Sequence, residues 1–200
     1  IKNETNMGCS KAWNKGIRVS SGDYICILNN DTMVFDHWLE DLLEGLNHVD
    51  LITATPMYGE PFSRAVEANK KREGWLTKPY EESLSSFRDF SCNLAPKDLY
   101  NAIGLFDEQF FAYGEDLDLF KRMDLAGFKY ASTKRANIFH IINGTANDMK
   151  PQIDKIMDES REKLKNKSYD EKPIIKEEVW GEEIPSQVVA PESFTVDNLP

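Results

Sequence analysis

Apolar or small residues recur at Cys9, Ala12, Trp13, Gly16 and Ile17, the spacing of one helical face, so the pattern predicts a helix from Gly8 to Val19. Gly22 supplies a stop before Tyr24–Leu28, a run of β-forming side chains that ends in two amides and a carboxylate, Asn29, Asn30 and Asp31. A second helix follows, with Asp36 as its N-cap and an apolar stripe of Trp38, Leu39, Leu42, Leu43 and Leu46. Leu51–Thr55 reads as another strand, and Ile1–Asn6 as the end of an earlier one. Strand, helix, strand at these lengths is the grammar of an α/β chain with a mostly parallel sheet and right-handed crossovers.

Pro56 to Asp89 breaks the pattern: it carries Pro, Gly, Lys-Lys-Arg and isolated aromatics with no sustained period. A loop of that length is either a surface excursion or a functional segment such as a lid or acceptor-binding element. Phe90–Ala95 then reads as a strand and Lys97–Ile103 as a short helix stopped by Gly104. Leu119, Phe120, Met123 and Ala126 keep helical spacing up to Gly127, which puts Glu115 and Asp116 at a helix N-terminus. Acidic residues there complement the helix dipole, but the apolar Phe110, Phe111 and Tyr113 around them would partly desolvate the carboxylates. Two short extended segments, Tyr130–Ser132 and Ala136–Ile142, close this region, the second carrying His140 between Phe139 and Ile141. Asp148–Lys167 is a highly charged helix with Ile153, Ile156, Met157 and Leu164 on one side. Residues 168–200 form an acidic, Pro-containing tail, linker-like or an extended arm.

Composition narrows the class. Two hundred residues, 40% apolar and 29% charged, suffice for one globular domain with an appendage. A net charge of −10 argues against a broad nucleic-acid surface, which needs cationic side chains. No apolar run approaches a bilayer span, and the three cysteines, Cys9, Cys26 and Cys92, lack metal-ligand spacing. They read as reduced core residues of a cytoplasmic protein.

Four stretches in order carry a resemblance: Asn6, Gly8, Ala12, Asn14, Gly16 and Ile17; then GDYICILNNDT; then IGLFDEQFFAYGEDLDLFKRMDLAGFK; then IFH with a small polar turn. Together they resemble the family 2 glycosyltransferases of GT-A fold, most closely members that build bacterial polysaccharides and rhamnose-containing glycans. The likeness covers about Ile1 to Thr145, and it implies a partial GT-A domain over 1–147, followed by the charged helix 148–167 and the tail 168–200. It implies inverting transfer from a nucleotide-sugar donor to a glycan or lipid-linked saccharide, with Mn2+ or Mg2+ as cofactor. Asp31 matches the carboxylate of the family's metal motif, and His140 a histidine that joins the metal. Asn29, Asn30, Asn14 and Gly8 fall among donor-binding positions, Asp116 matches the catalytic base, and Glu115 would orient the acceptor or the base. Asp118 would cap the helix. The family's nucleoside-binding strand and helix units have no counterpart here, so the first strand would present an open edge. That edge is expected to be covered by the tail, a second copy or a partner chain. An enzyme, a glycan- or partner-binding remnant without turnover, and a structural element all remain open readings.

Overall fold

The computed structural model describes residues 1–58, 61–141 and 150–169. In chain order its elements are α1 (Cys9–Val19), β1 (Tyr24–Leu28), β2 (Thr32–Val34), α2 (Trp38–Gly45), β3 (Leu51–Tyr58), α3 (Phe62–Lys70), α4 (Arg72–Leu76), a 3-10 turn (Tyr80–Ser83), β4 (Leu84–Ser85), β5 (Cys92–Pro96), α5 (Lys97–Ile103), α6 (Glu115–Ala126), β6 (Tyr130–His140) and α7 (Lys150–Asn166). The α/β class, with a central sheet flanked by helices, is as the patterning predicts.

The sheet runs β1-β5-β3-β6-β2, with β4 also paired to β6. β1, β3 and β6 point the same way, as successive crossovers require, but β5 lies antiparallel between β1 and β3. The only parallel pairing among the described strands is β3 with β6, which corrects the expectation of a mostly parallel sheet at the level of neighbours. Directions along a chain follow from connection lengths; the insertion of β5 follows from long-range pairing that no local period encodes.

Each face of the sheet has its own core. Ile25, Ile27 and Leu51 meet Ile17 of α1, Leu99, Tyr100 and Ile103 of α5, and Leu119, Phe120 and Met123 of α6. Ile52, Leu94 and Ile138 meet Leu42 of α2 on the other face. Adjacent residues Leu51 and Ile52 thus enter opposite cores, as the two-residue strand period dictates. β1 alternates strictly, with Ile25 and Ile27 buried and Tyr24, Cys26 and Leu28 exposed. Cys26 therefore departs from the expected core cysteine: its strand is an edge with no neighbour on its second side among the described residues.

Several boundaries move. Residues 1–8 contain no strand. α2 opens at Trp38 behind His37, whose φ is 64°, rather than behind an Asp36 cap. β3 continues through Pro56 to Tyr58, since past Thr53 it has β6 on one side and no strand on the other. The two expected extended segments are one strand, β6 (Tyr130–His140), with a register irregularity where Ala54 pairs Thr133 and Thr55 pairs Asn137, and the expected end at residue 142 lies outside the described residues. Gly127, at φ 79°, ends α6 where the glycine was expected to do so.

The segment read as unpatterned is mostly helical. Its polarity hides its anchors: Arg72 grips Asp41 with two guanidinium nitrogens, Nε and Nη2, at 2.5 and 2.8 Å, and the Tyr80 hydroxyl donates to the Asp41 carbonyl at 2.6 Å. Arg135 at the irregularity of β6 donates to the Lys78 carbonyl at 2.7 Å and to Glu44 at 3.0 Å. The charged helix 148–167 forms as α7, while the tail from residue 170 lies outside the described residues.

Gly45 sits where this anchored segment meets α2: a β-carbon there would lie 2.7 Å from both Ile52 Cγ1 and the Tyr80 hydroxyl. Gly45→Ala is expected to lower the unfolding free energy by roughly 1 kcal/mol or more, because overpacking outweighs the ~0.5–1 kcal/mol that alanine adds inside a helix. Urea denaturation of the two proteins checks this.

Candidate active site

β1, β3 and β6 all end at one edge of the sheet, and what they deliver there is polar. β1 passes into Asn29, whose N–H donates to the Ser91 carbonyl at 2.8 Å, and the Thr32 hydroxyl donates to the Asn29 carbonyl at 2.6 Å. This tight corner turns the chain so that Asp31 faces the end of β6. The Ile141 N–H donates to the Asp31 carbonyl at 2.8 Å, and Asp31 Oδ1 lies 3.1 Å from His140 Nε2. Two residues 109 positions apart are thereby brought into contact. Asn30 is exposed and Asn29 half-buried beside them.

The Asp31 side chain is 37% exposed, and no lysine or arginine pairs with it among the described residues. The imidazole is 15% exposed, with Nδ1 buried and without a hydrogen-bond partner. One accessible carboxylate and one imidazole nitrogen suit Mn2+ at least as well as Mg2+, with other ligands coming from substrate oxygens and water. No group of three or more His, Cys, Asp or Glu that could hold a metal ion gathers among the described residues.

The second carboxylate cluster reaches the same edge through helix direction. α1 joins β1 through the short link at 20–23, and α6 joins β6 through 127–129. Each helix runs back along its strand, so the N-termini of α1 and α6 both face the edge where β1 and β6 end. They touch each other: the Cys9 N–H donates to the Phe111 carbonyl at 2.7 Å, and Glu115 and Asp116 lie close enough to push the Cys9 thiol up to about 11, after burial as the larger cause. That thiol stays protonated and is no nucleophile.

Glu115 and Asp116 differ sharply. Glu115 is 6% exposed, its Oε2 is buried without a partner, and burial, with Asp116 adding repulsion, raises its carboxyl to about 7. Asp116 is half-buried, with Oδ1 accepting the Leu117 N–H at 2.8 Å and no cationic partner among the described residues. Asp118, expected to cap the helix, is instead fully buried in an ion-pair cluster with Arg122 at 2.9 Å and Lys167 at 2.6 Å.

Two expected donor contacts have other surroundings. Asn14 is buried, its amide donating to the Phe106 carbonyl at 2.8 Å and to Glu108 at 3.1 Å while its oxygen accepts the Phe106 N–H at 2.9 Å. It clamps α1 to the loop that leads toward Glu115, and its polar atoms are committed within the protein. Gly8, at φ 81°, lies so close to Phe111 that a β-carbon would come within 2.4 Å of the Phe111 carbonyl oxygen, so only glycine permits the α1 contact.

One pair was missed by sequence reasoning. Tyr58 pairs with His140 across β3 and β6, their rings 5.5 Å apart, and the Tyr58 hydroxyl donates to Asp89, which also accepts the Ser91 N–H at 2.8 Å. Asp89 raises the Tyr58 hydroxyl further above its ordinary range, after burial as the larger cause. The alternation of the strand past Pro56 was the signal that could have found Tyr58.

The mixed sheet flanked by helices matches a GT-A glycosyltransferase fold. The family model for Glycosyl transferase family 2 matches residues 1–102, more than half of the sequence, and the chain belongs to that family. A solved structure of GalNAc-T7 with UDP, GalNAc and Mn2+ is similar at a TM-score of 0.51 and 12% identity, over 70% of this chain and 32% of that one. The likeness concerns the fold, and the chain spans about a third of that structure's length. No curated protein matches the sequence.

Two outcomes are expected. Asn14→Ala strands the Phe106 N–H and carbonyl and should cost about 1–3 kcal/mol, read as a lower denaturation midpoint. Glu115 has its folded-state pKa raised, so the fold binds that proton more tightly than the unfolded chain does. Its contribution to stability therefore falls as pH rises from about 4.5 to about 7. Glu115→Gln should be more stable than the parent at pH 8 by up to roughly 3 kcal/mol and show little of that advantage at pH 4.5, by denaturant titration at both.

Proposed function

We propose that this chain transfers a sugar from a nucleoside-diphosphate donor to a hydroxyl of a glycan or lipid-linked saccharide, with inversion at the anomeric carbon. The observation that carries the reading is the contact of Asp31 with His140 at the edge toward which the Glu115–Asp116 corner also faces. Family membership sets the reaction class. The UDP and Mn2+ named with GalNAc-T7 make those two the first probes. The motifs' resemblance to enzymes of bacterial polysaccharide and rhamnose-containing glycans directs the acceptor search there.

Asp31 and His140 would hold Mn2+ or Mg2+, which when bound offsets charge gathering on the departing diphosphate. Asn29 and Asn30 offer neutral amides beside them for the donor. The positive ends of α1 and α6 face the same region and favour an anionic ligand. Asp116 has one oxygen engaged by its neighbour's N–H, which orients the carboxylate and leaves the other oxygen for an acceptor hydroxyl. As the acceptor oxygen bonds to the anomeric carbon and the bond to the diphosphate breaks, Asp116 takes the proton. A single displacement from the opposite face inverts that carbon. Glu115, with its carboxyl at about 7, is a poor competitor for the role below neutrality and is better suited to hydrogen bonding.

The alternative reading is a glycan- or partner-binding or structural module without turnover. Turnover of nucleotide sugars by the full chain with Mn2+ separates the two. Asp116→Asn should lower kcat by about a hundredfold or more while thermal unfolding is unchanged, and unaltered turnover would remove Asp116 from the role. Asp31→Ala should abolish Mn2+ binding seen by electron paramagnetic resonance; retained binding would overturn the metal assignment.

A further inference from the structure

β3 and β5 pair only at Ile52 and Thr53, so no backbone ladder joins them further along β3. Side chains span that gap. The Tyr58 hydroxyl, at the end of β3, donates to Asp89 Oδ2, while Asp89 Oδ1 accepts both the hydroxyl and the N–H of Ser91, the N–H at 2.8 Å. Ser91 is buried just before β5, and its carbonyl accepts the Asn29 N–H at 2.8 Å. One half-buried carboxylate therefore ties together two segments that the sheet leaves unjoined at this level.

Followed outward, these contacts close on themselves. Tyr58 pairs with His140 in the parallel ladder, its ring tilted at 45° and centred 5.5 Å from the imidazole. His140 Nε2 lies 3.1 Å from Asp31 Oδ1, and Asp31 is two residues from Asn29, where the circuit began. The circuit draws on the ends of β1, β3 and β6 and on the residue before β5. It matters most at the imidazole. A metal-ligating histidine ordinarily has its second ring nitrogen held by a hydrogen bond, which fixes the ring's orientation. Here Nδ1 of His140 is buried with no such partner, so the neighbouring Tyr58 ring is what limits the imidazole on the β3 side. That ring is itself fixed only as far as its hydroxyl is, and Asp89 holds the hydroxyl.

We propose that Tyr58 and Asp89 are positioning residues for the Asp31–His140 pair. Asp89 anchors the Tyr58 hydroxyl, the anchored ring orients the imidazole, and the same carboxylate, through Ser91, steadies the corner that carries Asp31. Both residues act through others and are assigned no contact with cation or donor. The inference rests on the reading of Asp31 and His140 as the cation site, and adds that the stretch between β4 and β5 helps to shape it.

The test reads His140 first without metal. The chain has three histidines, His37, His48 and His140, and His140→Gln assigns the third imidazole in proton–carbon NMR spectra of the histidine-labelled full chain. Tyr58→Phe keeps the ring and drops the hydroxyl, and Asp89→Ala removes the acceptor. Each should shift or broaden the His140 ring signals and leave those of His37 in place, with the circular dichroism of the parent. Unmoved His140 signals in either folded variant overturn the proposal. Mn2+ affinity, followed by electron paramagnetic resonance, gives the second readout. Each single variant should bind about fivefold more weakly, the worth of one hydrogen bond. The double variant should lose no more than about twofold beyond Asp89→Ala, because residues acting through one link are not additive. Gly45→Ala, whose added methyl meets Ile52 and Tyr80 rather than this edge, should bind Mn2+ as the parent does. An equal loss there, or additive losses in the double variant, overturns the positioning role. Should the parent bind no Mn2+, the cation reading fails and the metal-free His140 signals decide the proposal alone.

Discussion

The register of β6 is the constraint on which the rest depends. This strand pairs with β3, β2 and β4, so its alignment sets which residues meet at the edge. With Thr32 and Tyr58 both opposite His140, the imidazole is carried to Asp31 and lies tilted beside the Tyr58 ring. A slip of one residue would send His140 to the other face of the sheet and Ile138 out of its core. Burial of Ile138 and Ala136 against Leu42 therefore holds the histidine in place at a distance. The irregularity between Ala54 and Thr55 absorbs extra residues of β6 and points Arg135 at Glu44 and Lys78 without disturbing the pairing beyond it.

Carboxyl groups at this edge are sorted by surroundings rather than by type. Asp31 keeps solvent access and an imidazole neighbour, Asp116 keeps one oxygen free, Glu115 loses its water, and Asp118 is locked against Arg122 and Lys167. Three acids within four residues of one helix thus have three different surroundings. Such divergence is how a fold separates binding, proton transfer and structural roles among like groups. The ion-paired Asp118 also ties α6 to the end of α7, since Lys167 and Tyr169 both reach it.

The open side of β1 is the least settled part of the architecture energetically. Tyr24 and Leu28 are 49% and 41% exposed on a strand whose second side has no neighbour among the described residues. Unpaired backbone groups beside exposed apolar side chains make a surface that natural proteins usually cover.

The sequence alone determined the elements whose signals are local. The amphipathic stripes of α1 and α2, the β-forming run of β1, and the stops at Gly104 and Gly127 depend on neighbours within a few residues, so periodicity and backbone preference suffice. The chemistry proposed for Asp31, His140 and Asp116 was legible only through resemblance of motifs to a family, because spacing of 109 residues carries no geometric information by itself. Tertiary structure decided what each residue faces. It inserted β5 antiparallel, turned the stretch after Pro56 into helices pinned by Arg72, Tyr80 and Arg135, and gave Asn14 to the loop at Phe106. It also buried Glu115 more deeply than the residue beside it. These outcomes rest on pairings between distant segments, whose free energy is shared across the whole fold and leaves no trace in the order of neighbouring side chains.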